Sequence, residues 1–155
     1  MPTLHLGVID IPYANAPKKN QRRAGTAGTQ TTGDVAEWLE ADYHVMEIFF
    51  EAHRDDIAVD LEDSLAGALE SALMGAANLG TFDPTGHAMS QIEDRFKNFL
   101  LSREIENIGV PGVPTQAALQ GINHRLRHPY RRSNPRRPSF IDTGLYESSF
   151  KSWMD

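Results

Sequence analysis

The chain contains no cysteine among its 155 residues. That absence excludes disulfides, thiolate catalysis and cysteine-based zinc sites. No apolar run approaches the ~20 residues that a bilayer-spanning helix needs. The opening segment MPTLHLGVID has neither the basic start nor the apolar stretch of a secretory signal. Familiar catalytic motifs are missing as well. No G-x-S-x-G elbow marks a nucleophile, and the glycine-rich GTAGTQTTG lacks the G-K-[ST] ending of a phosphate-binding loop. Neither an internal repeat nor a composition break divides the chain, so a single domain over residues 1–155 is expected. Hydrophobic residues make up 40% and charged residues 23%, an ordinary balance for a chain that can bury a real core.

What the sequence does have is helical periodicity. From Thr32 to Ala76, the residues Val35, Leu39, Tyr43, Met46, Phe50, His53, Ile57, Leu61, Leu65, Ala68 and Ala72 recur at steps of three or four. The mean step is near the helical repeat of ~3.6, and no proline interrupts it. The pattern predicts one continuous helix, capped by Thr32 or Asp34 and stopped at Gly75. At ~1.5 Å per residue it would be roughly 60 Å long, against roughly 30–35 Å for a globule of this size. Such a helix must protrude, bend or meet another chain. Trp38, Val45, Ile48 and Phe49 lie off the main stripe, and they form either a second buried side or a patch for a neighbouring copy.

The remaining segments are shorter. TLHLGVIDI (3–11) reads as one strand, with Leu4, Leu6 and Val8 on one side and His5, Gly7 and Ile9 on the other. Residues 14–31 are polar and basic without apolar period, which predicts a flexible arm. A second helix is expected from about Ala88 to Ser102, carried by Met89, Ile92, Phe96 and Phe99. REIENIG gives one more helical turn closed by Gly109, and GVPGVPT must be a loop. QAALQGINHRLRH, opened by Thr115, predicts a third helix with Leu119, Ile122 and Leu126 inward. Residues 129–139 read as an extended Arg/Pro-rich segment. At the C-terminus strand and helix compete. The i, i+4, i+7 spacing of Tyr146, Phe150 and Trp153 favours a short helix with an aromatic face. The fold class is therefore mainly α with minor β.

The net charge of −6 is segregated. Twelve acidic residues and one basic residue, Arg54, lie between Asp34 and Glu70, whereas Arg125, Arg127, Arg131, Arg132, Arg136 and Arg137 occupy a stretch with no acid. A second basic group, Lys18, Lys19, Arg22 and Arg23, falls in the arm. The split suits intramolecular salt bridges, pairing between subunits, or contact with DNA, for which arginine forks and a stacking Tyr130 are apt. Prolines among the arginines argue against a groove-reading helix and for nonspecific contact. His124 and His128 have a metal-ligand spacing, but the surrounding arginines disfavour a cation. His53 reads as a core or interface histidine, and Glu47, Glu51, Asp55 and Asp56 as a solvated face rather than acid–base pairs. No metal, cofactor or catalytic residue is expected.

Three stretches, TGDVAEWLEADYHVMEIFFEAHRDDIA, PGVPTQAALQGINHRLRHPY and NPRRPSFIDTGLYESSFKSW, together resemble structural proteins of tailed bacteriophages. The likeness spans roughly Gly33 to Asp155. It is most specific at Pro138, Thr143, Gly144, Leu145, Ser149 and Phe150, which look like the pattern in tail-completion and neck proteins. The resemblance implies a non-enzymatic virion component, assembled in the host cytoplasm and placed at the head–tail junction. There it would form a ring with copies of itself, against portal, neck or tail proteins and with no membrane contact. The residues suggest its contacts: Trp38, Val45, Ile48 and Phe49, the six arginines, and Tyr146, Phe150 and Trp153 for neighbours, with Lys18, Lys19, Arg22 and Arg23 for packaged DNA. Two other readings compete with it: a small nonspecific nucleic-acid-binding protein using the arginine segment, and a hydrolase using Glu47 or Glu51.

Overall fold

The computed structural model describes residues 2–13, 30–75 and 83–155. The expected arm at 14–31, with its four cationic side chains, lies outside the described residues apart from Gln30 and Thr31. The architecture is mainly helical: β1 (Leu4–Val8), α1 (Thr32–Tyr43), α2 (Val45–Leu73), α3 (Gly86–Leu101), α4 (Glu104–Asn107), α5 (Gln116–Leu119), α6 (Leu145–Ser149) and β2 (Phe150–Met154). Among the described residues, no helix is long and apolar enough to cross a membrane.

The single long helix of the sequence reading is two helices. His44 sits in the left-handed region (φ 52°, ψ 44°), and its N–H donates to the Glu40 carbonyl at 3.0 Å, closing α1. The Glu40 side chain then turns forward and accepts from the N–H groups of Met46 (2.8 Å) and Glu47 (3.1 Å). One carboxylate thereby satisfies two of the donors that a helix start leaves unpaired. A one-residue break shifts the phase of the apolar stripe too little to be seen in the spacing. The cap also differs: Thr31, not Thr32 or Asp34 alone, opens α1, in a reciprocal capping box with Asp34. Thr32 is buried and donates its hydroxyl to the Ile9 carbonyl at 2.6 Å, which ties α1 to the end of β1. Gly75, at φ 77°, follows the end of α2 as its position suggested.

The core gathers around α2 and α3. Val45, Phe49 and Ile57 from α2 meet Ala88, Met89, Ile92, Phe96, Phe99 and Leu100 from α3, with Ile105, Ile141, Tyr146 and Phe150 closing the sides. Its centre is aromatic. Phe96 and Phe150 stack with centroids 3.9 Å apart, and Phe49 meets Phe96 edge-on at 5.2 Å. Burial of each such ring is worth roughly 1.5–3 kcal/mol. Val45 and Phe49 are thus fully buried and not part of an external patch, as the second-side reading had allowed; Ile48 packs against the same core, and only Trp38 of that group is exposed.

The C-terminus is where strand defeats helix. α6 lasts only five residues, and β2 then pairs antiparallel with β1, Leu4 opposite Met154 and Val8 opposite Phe150. Burial alternates along Phe150, Lys151, Ser152 and Trp153 as a pleated strand requires. Phe150 faces α3, while Trp153 lies on the opposite face, stacked on His5 at 5.3 Å. The ring also crosses Gly7, where a Cβ would come within 3.1 Å of it. The helical spacing of the three aromatics was coincidental: unpaired β1 backbone needs a partner more than five residues need helical bonds.

The third helix is also shorter than expected. Only Gln116–Leu119 is helical, because Gly121 takes φ 68° and packs where a Cβ would meet the Asn134 and Pro135 carbonyl oxygens at 2.6 Å. Ala118 is the buried residue, whereas Leu119 and Leu126, expected inward, are 42% and 41% exposed. His124 and His128 therefore do not share a helix face.

Candidate interaction surfaces

The arginines are the first candidates, and their surroundings separate them into two sets. Arg137 is tied down by carbonyl oxygens: its Nε donates to Ile122, and its Nη1 to Pro138 (3.1 Å) and Ile141 (2.8 Å). Burial lowers its pKa, and Asp142 partly opposes that shift. Arg125 donates to the Thr143 carbonyl at 2.6 Å and to Glu147 at 3.2 Å. Arg136 pairs with Glu106, whose other oxygen accepts from the Ser139 N–H and hydroxyl. These three arginines hold the irregular 121–144 region together. Arg127, Arg131 and Arg132 are exposed and make no ion pair among the described residues. The 129–139 segment runs as turns and short extended pieces rather than one extended strip.

A polar relay that the sequence did not reveal lies beside them. The two Asp142 oxygens hold the His124 backbone N–H (2.7 Å) and Nδ1, and His124 Nε2 lies 2.9 Å from the Tyr130 hydroxyl. Asp142 is eighteen positions from His124 in a loop, so no spacing rule connects them. Both imidazole nitrogens are engaged inside the chain, so the histidine works as a clamp between two loops. A cleft of about 810 Å³ opens next to it, between Tyr13, Val35 and Leu39 on one wall and His124, Asp142 and Tyr146 on the other. Burial raises the Tyr13 and Tyr146 phenols above their ordinary pKa, with Glu147 adding to the first and Glu40 to the second.

Glu40, His44 and Glu47 also converge, with ligand atoms within 4.8 Å of one another. Glu40 already caps α2 with both oxygens, and His44 pairs with Glu47 at 2.9 Å. That arrangement explains the cluster as a helix junction. His53 sits at the core edge as expected, with its ring edge-on to Phe99, and its buried Nε2 lies 3.1 Å from Glu104 without a hydrogen bond. Glu51, Asp55 and Asp56 are exposed, with Asp56 reached by Arg95.

The largest surprise is the far half of α2. Leu65, assigned to the buried stripe, is 47% exposed; Leu69, Leu73 and Met74 follow at 62%, 79% and 82%. The inward line instead runs through Ile57, Asp60 and Ser64, and Ser64 donates to the Pro84 carbonyl at 2.8 Å. Asp60 is held by Arg95 at 2.7 Å. The leucine spacing of i, i+4, i+8 was visible in the sequence, but periodicity alone cannot say which side of a helix its own chain covers. Of the C-terminal aromatics, Tyr146 and Phe150 are buried within the chain, and Trp153 is 46% exposed. No family model matches the chain, and comparison with curated proteins and solved structures finds no match either.

Proposed function

We propose that this chain is a structural protein of a tailed-phage virion, one of several identical subunits forming a ring at the head–tail junction that joins the portal or adaptor to the tail. The observation that carries this reading is the uncovered leucine line on α2, Leu65 to Met74. A subunit built only to fold would gain by covering it, and a contiguous exposed apolar strip marks a surface made for association. The segregated charge supports the same reading, because head-to-tail contacts in a closed ring need two different complementary faces. The neck location itself comes from the likeness of residues 33–155 to tail-completion proteins. Mass spectrometry of purified virions, with gold labelling of a tagged copy, tests it. The label should sit between head and tail, and absence from the particles overturns the proposal.

The nucleic-acid reading keeps one supporting observation: Arg127, Arg131 and Arg132 are exposed around Tyr130, which is 71% exposed. Three neutralised phosphates would give a log–log salt slope of about −2.7. Fluorescence anisotropy with labelled duplex DNA distinguishes the readings, and no binding at low salt removes the second.

A further inference from the structure

The exposed leucines and the exposed arginines form two surfaces of complementary shape and charge. Leu65, Leu69 and Leu73 rise along the solvent side of α2 as a ridge, with Glu62, Asp63 and Glu70 beside them, all exposed. The loop after α5 offers the converse. Arg127, His128, Pro129, Tyr130 and Arg131 line a shallow depression of about 510 Å³, and Leu126 is 41% exposed at its side. One surface is convex, apolar and flanked by acid; the other is concave, partly apolar and rimmed by base. Charges of this kind add little affinity when exposed but fix register and partner choice. The leucines inserted between them supply the apolar burial that drives association.

We infer that the Leu65–Leu73 ridge of one subunit docks into the Arg127–Arg131 depression of a second copy of this chain. The inference rests on the ring reading above and names the two faces in contact. Because the faces differ, the contact is heterologous, and an open row of subunits keeps one free ridge at one end and one free depression at the other until a ring closes. The loop can present this surface because its form is fixed from behind: Asn134 donates to the His128 and Pro129 carbonyls, both at 2.9 Å, and His124 holds Tyr130.

The cysteine-free chain allows a clean test. Leu69→Cys and Ser133→Cys, the latter exposed beside the depression, are prepared as separate full-length variants, mixed at high concentration and oxidised. The expected result is a mixed disulfide at least about tenfold above the homodimer formed by either variant alone, and a ladder of multimers from the double variant. Adding Glu70→Arg to the Leu69→Cys chain should suppress the mixed disulfide, and adding Arg127→Glu and Arg131→Glu to the Ser133→Cys chain should restore it. A mixed yield no greater than either homodimer, or a predominant Leu69→Cys homodimer, overturns the inference. Entry into virions is scored separately. Cross-linking without entry leaves this contact standing and removes the neck reading, whereas entry without cross-linking does the reverse.

Discussion

At Glu106 one side chain organises a stretch that has little regular structure of its own. The side chain is 3% exposed, and its carboxylate accepts from the Ser139 N–H at 2.9 Å and hydroxyl at 2.8 Å and pairs with Arg136. Burial pushes its pKa up, but the Ser139 bonds and the guanidinium outweigh that and hold it below the ordinary 4.5. A lowered folded-state pKa stabilises the protein above the unfolded value, and that contribution is lost as pH falls through the folded one. Glu106→Gln should therefore melt earlier than wild type at neutral pH by about 2–3 kcal/mol, the scale of hydrogen bonds to a charged acceptor. The gap should narrow as pH drops below about 4.5. Melting curves across that range check it, and a pH-independent gap would mean the charge is not what matters. Arginine roles at this scale were not legible in the sequence. Arg137 and Arg132 look alike there, because the carbonyl oxygens that hold Arg137 carry no residue-type signature.

At the scale of elements, the break at His44 and the strand at Phe150 were both hidden, for opposite reasons. The break preserved the helical phase, and the strand imitated it. β1, α3, the α4 turn and the Gly109 and Gly75 stops were legible, because each combines a strong period with a punctuating residue. His44→Gly provides a direct check on the break. In a continuous helix, glycine would cost about 1 kcal/mol relative to alanine; at a left-handed junction it should instead be neutral or stabilise by up to about 1 kcal/mol over histidine. Calorimetry reads the sign. The strand makes its own prediction. Phe150→Ala should cost about 3–5 kcal/mol, as for a buried ring, while Trp153→Ala, nearly half exposed on the outer face, should cost about 1 kcal/mol. Chemical denaturation of both variants tests this, and equal losses would restore the shared aromatic face of a helix.

Over the whole molecule, charge segregation was plain in the sequence but its division of labour was not. Arg125, Arg136 and Arg137 serve the fold, and Arg127, Arg131 and Arg132 face outward. Reversing the outward three to glutamate should leave unfolding stability within about 0.5 kcal/mol of wild type while sharply reducing assembly into particles. Arg137→Ala, by contrast, should be strongly destabilised, because three part-buried carbonyl groups lose their donor. Circular dichroism and particle assays separate the two outcomes. One further property follows from the pairing of β1 with β2. His5 meets Asp155 across 150 positions, and the strands on either side of that contact have each other as their sheet partner. During translation at ~5–20 residues per second, β1 emerges first and waits for most of the chain to be made before β2 exists. The helices can collapse onto one another in that interval, but the sheet cannot, and Phe150 cannot enter the aromatic centre before it. The hydrophobic middle is therefore completed only once β2 has been synthesised, and a nascent chain that stops short of residue 150 lacks the ring that stacks on Phe96.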